Sequence, residues 1–356
     1  MKKFSLILVA MLIVSLLAGC AGTPVVYYSD CTCPTGAHNE NTNPSKPNNV
    51  GEGAVKTGLY IGTGLRESKN ASAEENGEVK YDVTVVAVTV DDKGVIQSCI
   101  IDSVGTSVKF DATGVITSDV TAAVPTKNEL GEKYGMKRNG SKYEWNEQAA
   151  ALANYAVGKT VVELKNGAIN ESGMAADADL AATATIYLGG YVSGIEAAVA
   201  NAQHLGAQAG DELRLAMLPG LKSSKSADAE NAGLAQLDMD VTALTMKDGV
   251  ITSCYIDSLQ AKVNFDATGV ISTDLKAPVQ TKNQLGEAYG MKLYAGAAYE
   301  WNEQAAAFAA YVTGKTGAEV AGIAIDEGTK PTEADLTATV TIAIGGFQAL
   351  IAKAVQ

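Results

Sequence analysis

Histidine is almost missing from this chain. Its 356 residues hold two, against 40 acidic and 27 basic side chains. His38 falls in a polar N-terminal stretch and His204 in the joint between two sequence repeats, so neither repeat has one inside. A Ser-His-Asp or Cys-His nucleophile system therefore lacks its general base, and zinc sites built on histidine are excluded as well. Cysteine is nearly as scarce, at five. Each repeat has a single one, Cys99 or Cys254, which makes no metal-binding cluster. Both sit mid-strand among apolar residues and read as small buried hydrophobes. The alternative, a redox thiol, has no basic neighbour to lower its pKa. Cys31 and Cys33 are separated by one residue and would close only a strained bridge; they are free or paired with another chain.

Long apolar runs are also lacking, apart from one at the start. Lys2 and Lys3 precede an apolar stretch from Phe4 to Leu16, closed by Leu17-Ala18-Gly19-Cys20. The stretch is too short to span a bilayer and reads as a secretion signal over residues 1–19. Its ending resembles the lipobox of bacterial lipoproteins, which implies lipidation of Cys20 and an anchor on the extracytoplasmic face of the cell membrane. Positive charge is in short supply too. The formal net charge is −13, and −15 once Lys2 and Lys3 are removed. Such a surface repels phosphate backbones, so nucleic acid is no partner. Anionic headgroups repel it equally, which leaves the lipid to hold the protein to the membrane. Residues 20–53, with "HNENTNPSKPNNVGEG", carry too little apolar surface to fold and read as a disordered tether.

What the chain has in abundance is repetition. "FDATGVI" begins at Phe110 and again at Phe265, and "TKNELGEKYGMK" from Thr126 returns as "TKNQLGEAYGMK" from Thr281. "WNEQAAA" occurs at Trp145 and Trp301. The period is far longer than the roughly 20–50 residues of a solenoid unit. It has the size of a whole domain. Two tandem homologous domains are therefore expected, 54–206 and 207–356, each able to fold alone.

Within each, "YDVTVVAVTV" and "VIQSCIIDSV", or "DMDVTALTM" and "VITSCYIDSL", flank a Gly-containing turn and read as a hairpin. Capping boxes at Thr126–Glu129 and Thr281–Gln284 open a short helix. A longer helix starts near Trp145, with Ala149, Leu152 and Ala156 completing its apolar stripe. The class expected is α+β, a mostly antiparallel sheet covered by helices.

Several chemical readings fail on position. "GKT" at 158–160 and 314–316 lacks the glycine five residues earlier that a phosphate-binding loop requires, because Ala153 and Ala309 stand there. It reads instead as a helix stop and the next cap. Asp102 with Asp111, and Asp257 with Asp266, recur as acidic pairs of the kind that flank a glycosidic bond; Asp111 in "DATG" reads as a turn cap. Trp145 and Trp301 are helix anchors, or an aromatic wall for a ligand ring.

The last repeated stretch is "DLAATATIYLGG" from Asp179, matched by "DLTATVTIAIGG" from Asp335. Its alternation predicts a half-buried strand whose second face carries Thr183 and Thr185, or Thr339 and Thr341. The stretch also resembles the closing motif of the FMN-binding domain family, an Asp followed by Ser/Thr-Gly-Ala-Thr before a C-terminal helix. "DADLAAT" places Asp177, Ala182 and Thr183 in the motif positions, and "EADLTAT" places Glu333, Ala338 and Thr339. The motif's glycine is Ala181 in one and Thr337 in the other. The resemblance implies a flavin carrier, with FMN held non-covalently or through a phosphoester on the motif threonine, passing electrons to a redox partner outside the membrane. The alternative is a non-catalytic surface lipoprotein that keeps the fold and binds a small ligand or a partner without flavin.

Overall fold

The computed structural model describes residues 53–356. The signal segment, Cys20, Cys31, Cys33, His38 and the tether up to residue 52 lie outside the described residues. The class is α+β, with two three-stranded antiparallel sheets and eleven α-helices among the described residues. In the first repeat β1 (Lys56–Gly64), β2 (Gly77–Val90) and β3 (Ile96–Phe110) form a sheet in sequential order. Then come α1 (Lys127–Leu130), α2 (Trp145–Ala156), α3 (Val161–Ala168), α4 (Ala178–Thr183) and α5 (Gly189–Ala200). The second repeat supplies β4 (Glu212–Gly220), β5 (Gly233–Lys247) and β6 (Val250–Phe265). Its helices are α6 (Lys282–Leu285), α7 (Met291–Ala295), α8 (Trp301–Val312), α9 (Gly317–Ala321), α10 (Ala334–Thr337) and α11 (Gly345–Ala354).

Local chemistry accounts for the boundaries. The β5–β6 turn is Asp248-Gly249, both at positive φ, the short hairpin connection that a right-twisted ribbon favours. Thr126 caps α1 and receives the Glu129 amide, while Glu129 reaches back to the Thr126 amide. Thr160, in the "GKT" run, caps α3 through the same reciprocal arrangement with Glu163. Asp111 Oδ1 accepts hydrogen bonds from the amides of Thr113 and Val115, which closes the "DATG" turn.

Packing departs from the expected two independent domains. Each sheet buries both faces. One face lies under its own helices: Val86, Val88 and Ile101 pack against α2 and α5, as Leu244, Cys254 and Ile256 pack against α8 and α11. The opposite faces meet each other. Val79, Tyr81, Val83, Val85 and Ala87 from β2 share a single core with Ala235, Leu237, Met239, Val241 and Ala243 from β5. Phe110 stacks on Phe265 with ring centroids 4.0 Å apart and planes within 6°. The layers thus run helix, sheet, sheet, helix, and the repeats complete one another.

Backbone exchange across this junction is reciprocal. The Ala71 amide donates to Gly269 O and the Ala227 amide to Gly114 O, both at 2.8 Å. Gly114 and Gly269 have φ of 72° and 71°. A Cβ on Gly114 would lie 2.7 Å from Ala227 Cβ, and one on Gly269 would lie 2.5 Å from Ala71 Cβ. Only glycine allows this backbone angle at so close an approach.

Candidate functional site

The Thr-rich stretch is not a strand. Leu180–Thr183 is helical, the end of α4, and Ala184–Leu188 joins no sheet before α5 begins. Two side chains explain this. The Asp177 carboxylate caps α4, accepting the amides of Asp179 and Leu180 at 3.0 Å. Gln148, fully buried on α2, then takes over the hydrogen bonding that a neighbouring strand would have supplied. Its Oε1 accepts the amides of Thr185 at 2.7 Å and Ile186 at 3.1 Å, while its Nε2 donates to Tyr143 O at 3.1 Å. Gln304 repeats the arrangement on Thr341, Ile342 and Tyr299. An alternating pattern is satisfied here by one glutamine instead of a ladder.

The motif residues are placed as follows. Asp177 and Thr183 lie at opposite ends of α4, with Asp177 committed to capping. Thr183 Oγ1 donates to Leu180 O at 3.1 Å and Asp179 O at 3.3 Å, and Ala182 is exposed. In the second repeat Glu333 accepts the Tyr311 hydroxyl and the Ala324 amide. Ala338 is exposed just past α10, and Thr339 Oγ1 donates to Leu336 O at 3.4 Å.

The recess of chemical interest lies a few residues further on, at the start of α5. A cleft of about 470 Å³ is lined by Thr84 of β2, Lys127 of α1, Tyr134, Met136, Trp145 of α2, Ile186, Tyr187, Gly190 and Tyr191. Lys127 Nζ stands 5.1 Å from the Trp145 ring centroid and 5.3 Å from that of Tyr134. This is cation–π distance. Trp145 is held in place. It is 3% exposed, donates its indole N–H to Tyr191 OH at 3.0 Å and meets that ring edge-on. Tyr187, 60% exposed, forms an outer wall. The arrangement offers flat apolar faces, one ammonium group and the first turn of a twelve-residue helix. It suits a planar ring carrying negative charge.

The second repeat has the same elements with different electrostatics. Lys282 Nζ lies 4.7 Å from the Trp301 centroid and 5.2 Å from Tyr289. Asp240 occupies the position of Thr84. Burial pushes the Lys282 ammonium down, and the charges of Asp240, Asp238 and Asp257 only partly offset it. Burial also raises Asp240, against Ser258 and Lys282. It pushes Asp257 up to about 6, against hydrogen bonds from Thr281, Asn283 and Ser258. Asp102 and Asp257 are not a catalytic pair with Asp111 and Asp266. Each ties its β3 or β6 strand to the following short helix by accepting the amide of Asn128 or Asn283.

Of the two repeat cysteines, Cys254 is buried as expected, whereas Cys99 is half-buried at the edge of its core. Burial alone pushes the Cys99 thiol up to about 12, and burial likewise raises Cys254 to about 12. Sequence reasoning reached Trp145 as a ring wall but missed Lys127, Tyr134, Gln148, Tyr187 and Tyr191. The signal lay in the duplicated strings: Lys127, Tyr134 and Gln148 recur as Lys282, Tyr289 and Gln304. Among the described residues no helix is long and apolar enough to cross a membrane, and no three His, Cys, Asp or Glu side chains gather to hold a metal. No protein-family profile, curated protein or solved structure matches the chain.

Proposed function

We propose that the protein is a lipid-anchored, extracytoplasmic flavin carrier whose first-repeat cleft holds FMN and passes electrons between partners outside the membrane. The observation that carries this reading is the cleft itself, a half-open aromatic recess with one lysine that opens directly after the motif segment. Bound FMN would supply reversible electron transfer. The chain's part is to stack the ring on the exposed Tyr187, to present Lys127, held over the buried Trp145, to negative charge, and to keep water from the buried face.

Two threonines compete for any phosphoester. Thr183 is the motif residue, but its hydroxyl points at helix carbonyls. The C-terminal end of a helix, where those carbonyls lie, disfavours phosphate. Thr185 directly precedes the cleft residue Ile186, with Oγ1 3.2 Å from Gln148 Oε1. Three extended residues span about 10 Å at most, so either threonine stays within short reach of the cleft wall. The test is intact-mass measurement of native, membrane-extracted protein beside Thr183→Val and Thr185→Val. An added FMN mass that one variant abolishes identifies the attachment. Non-covalent binding instead gives flavin absorbance without added mass. Colourless protein whose tryptophan fluorescence ignores added FMN would overturn the reading and leave the alternative, a surface binding lipoprotein without flavin. That alternative draws on the commitment of the Thr183 hydroxyl to α4.

The anchor is tested separately. Cys20→Ser is expected to move the protein from the membrane fraction to the soluble one, because the acidic chain has no other attraction for an anionic bilayer. Retention equal to wild type would contradict lipid anchoring.

A further inference from the structure

The first-repeat cleft and its counterpart position in the second repeat, the second site, differ at one point that decides ligand charge. "DVTVVAVTV" (Asp82–Val90) and "DMDVTALTM" (Asp238–Met246) occupy the same place in their sheets. Thr84 pairs across to Ser103, and Asp240 pairs across to Ser258. Thr84 and Asp240 are therefore structural counterparts, as are Gly190 and Gly346 at the starts of α5 and α11. In the second repeat the Asp240 carboxylate lies against the first turn of α11. A Cβ built on Gly346 would come within 3.2 Å of Asp240 Oδ2. At Gly190 the nearest atom is Tyr187 Cε1, at 4.0 Å, and the space beside it opens into the cleft.

We propose that the first-repeat cleft contains an anion subsite between Lys127 and the first turn of α5, and that Asp240 fills its counterpart in the second repeat with the protein's own carboxylate. The first cleft then takes an anionic planar ligand, and the second binds the same ligand more weakly. This rests on the reading of the first cleft as the ligand site, but requires only an anionic aromatic ligand, not flavin itself. Three features converge on it. Lys127 has no carboxylate partner within ion-pair distance among the described residues. The helix start beside it presents backbone N–H groups. The duplicated site places the Asp240 carboxylate in the same location, beside Lys282, while the other two acidic neighbours of that lysine, Asp238 and Asp257, are matched in the first repeat by Asp82 and Asp102. The second site is also less aromatic, with Ala343 and Phe347 where the first cleft has Tyr187 and Tyr191.

The chain has two tryptophans, Trp145 in the first cleft and Trp301 at the second site. Trp301→Phe leaves Trp145 to report the first cleft, and Trp145→Phe leaves Trp301 to report the second. Each background is titrated with 8-anilinonaphthalene-1-sulfonate, FMN and uncharged riboflavin, with and without Thr84→Asp or Asp240→Thr. A like charge at contact is expected to change anion affinity by about tenfold or more. The sulfonate probe should therefore bind the first cleft at least about tenfold tighter than the second. Thr84→Asp should erase that preference, and Asp240→Thr should tighten the second site to near equality. Riboflavin should respond little to either change. A thermal transition recorded for each variant identifies unfolding, and Thr84→Asn and Asp240→Asn repeat the comparison without a charge or with only its removal. Equal sulfonate affinity at the first cleft and the second site of the wild type, an unaltered second site in both Asp240 variants, or no binding anywhere overturns the proposal. Sulfonate binding in the expected order with no response to either flavin sinks the flavin reading alone.

Discussion

A fragment comprising residues 207–356 is expected not to yield a folded monomer. Its sheet would expose the whole face that now meets the first repeat. Leu237, Met239, Val241, Leu259, Val263 and Phe265 are at most 1% exposed in the full chain, and all belong to the shared core. Burying a side chain of this size contributes about 1.5–3 kcal/mol. Six of them account for on the order of 10 kcal/mol, as much as the whole stability of an ordinary domain, about 5–15 kcal/mol. Phe265 would also lose its stacking partner Phe110. Circular dichroism and analytical ultracentrifugation should find a fragment that is unfolded, aggregated, or paired with a second copy of itself across the same face. A soluble monomer with a cooperative thermal transition would show that each repeat closes its own core.

Gln148→Leu is expected to cost about 2–4 kcal/mol, because it orphans the Thr185 and Ile186 amides and removes the bond to Tyr143 O. Leucine has nearly the right volume, so little of the loss arises from a cavity. For a chain of this length the fall in Tm is roughly 3–6 °C. The functional effect should be larger than the stability effect. Ile186 and Tyr187 form one wall of the cleft, and Gln148 is what fixes the backbone that carries them. Ligand affinity should drop about tenfold or more, since a loosened wall must be ordered on binding. Calorimetry and fluorescence titration check the two parts. A Tm within a degree of wild type and an unchanged affinity would mean that the segment holds its shape without Gln148.

Much of the fold was legible in the sequence because its causes are local. The hairpins follow from β-branched runs around Gly turns, and α1, α3, α6 and α9 from capping boxes written within four residues. The helix from Trp145 follows from apolar spacing at three and four. Each of these depends on neighbours that the chain itself supplies, and each appears where expected. The Thr-rich stretch was misread for the complementary reason. Alternation predicts a strand only where a second strand stands ready, and whether one does is not a local property. Here Gln148, 37 residues from Thr185 in sequence, answers the backbone instead.

The sequence by itself determined the two-fold repetition, the α+β class, the scarcity of histidine and the acidic charge, because these are properties of composition and order. Only the tertiary structure decided that the repeats share one core. Both faces of a strand such as Val83-Thr84-Val85-Val86 read as apolar or small, and nothing in the string says whether the second face meets a helix or another sheet. The cleft was likewise a tertiary decision. Lys127, Trp145 and Tyr191 come from α1, α2 and α5, and their convergence depends on how those helices settle on the first sheet. The difference between Thr84 and Asp240 stood in plain sight as one substitution between two copies. It acquired meaning only when folding set that position beside a lysine and the start of a helix.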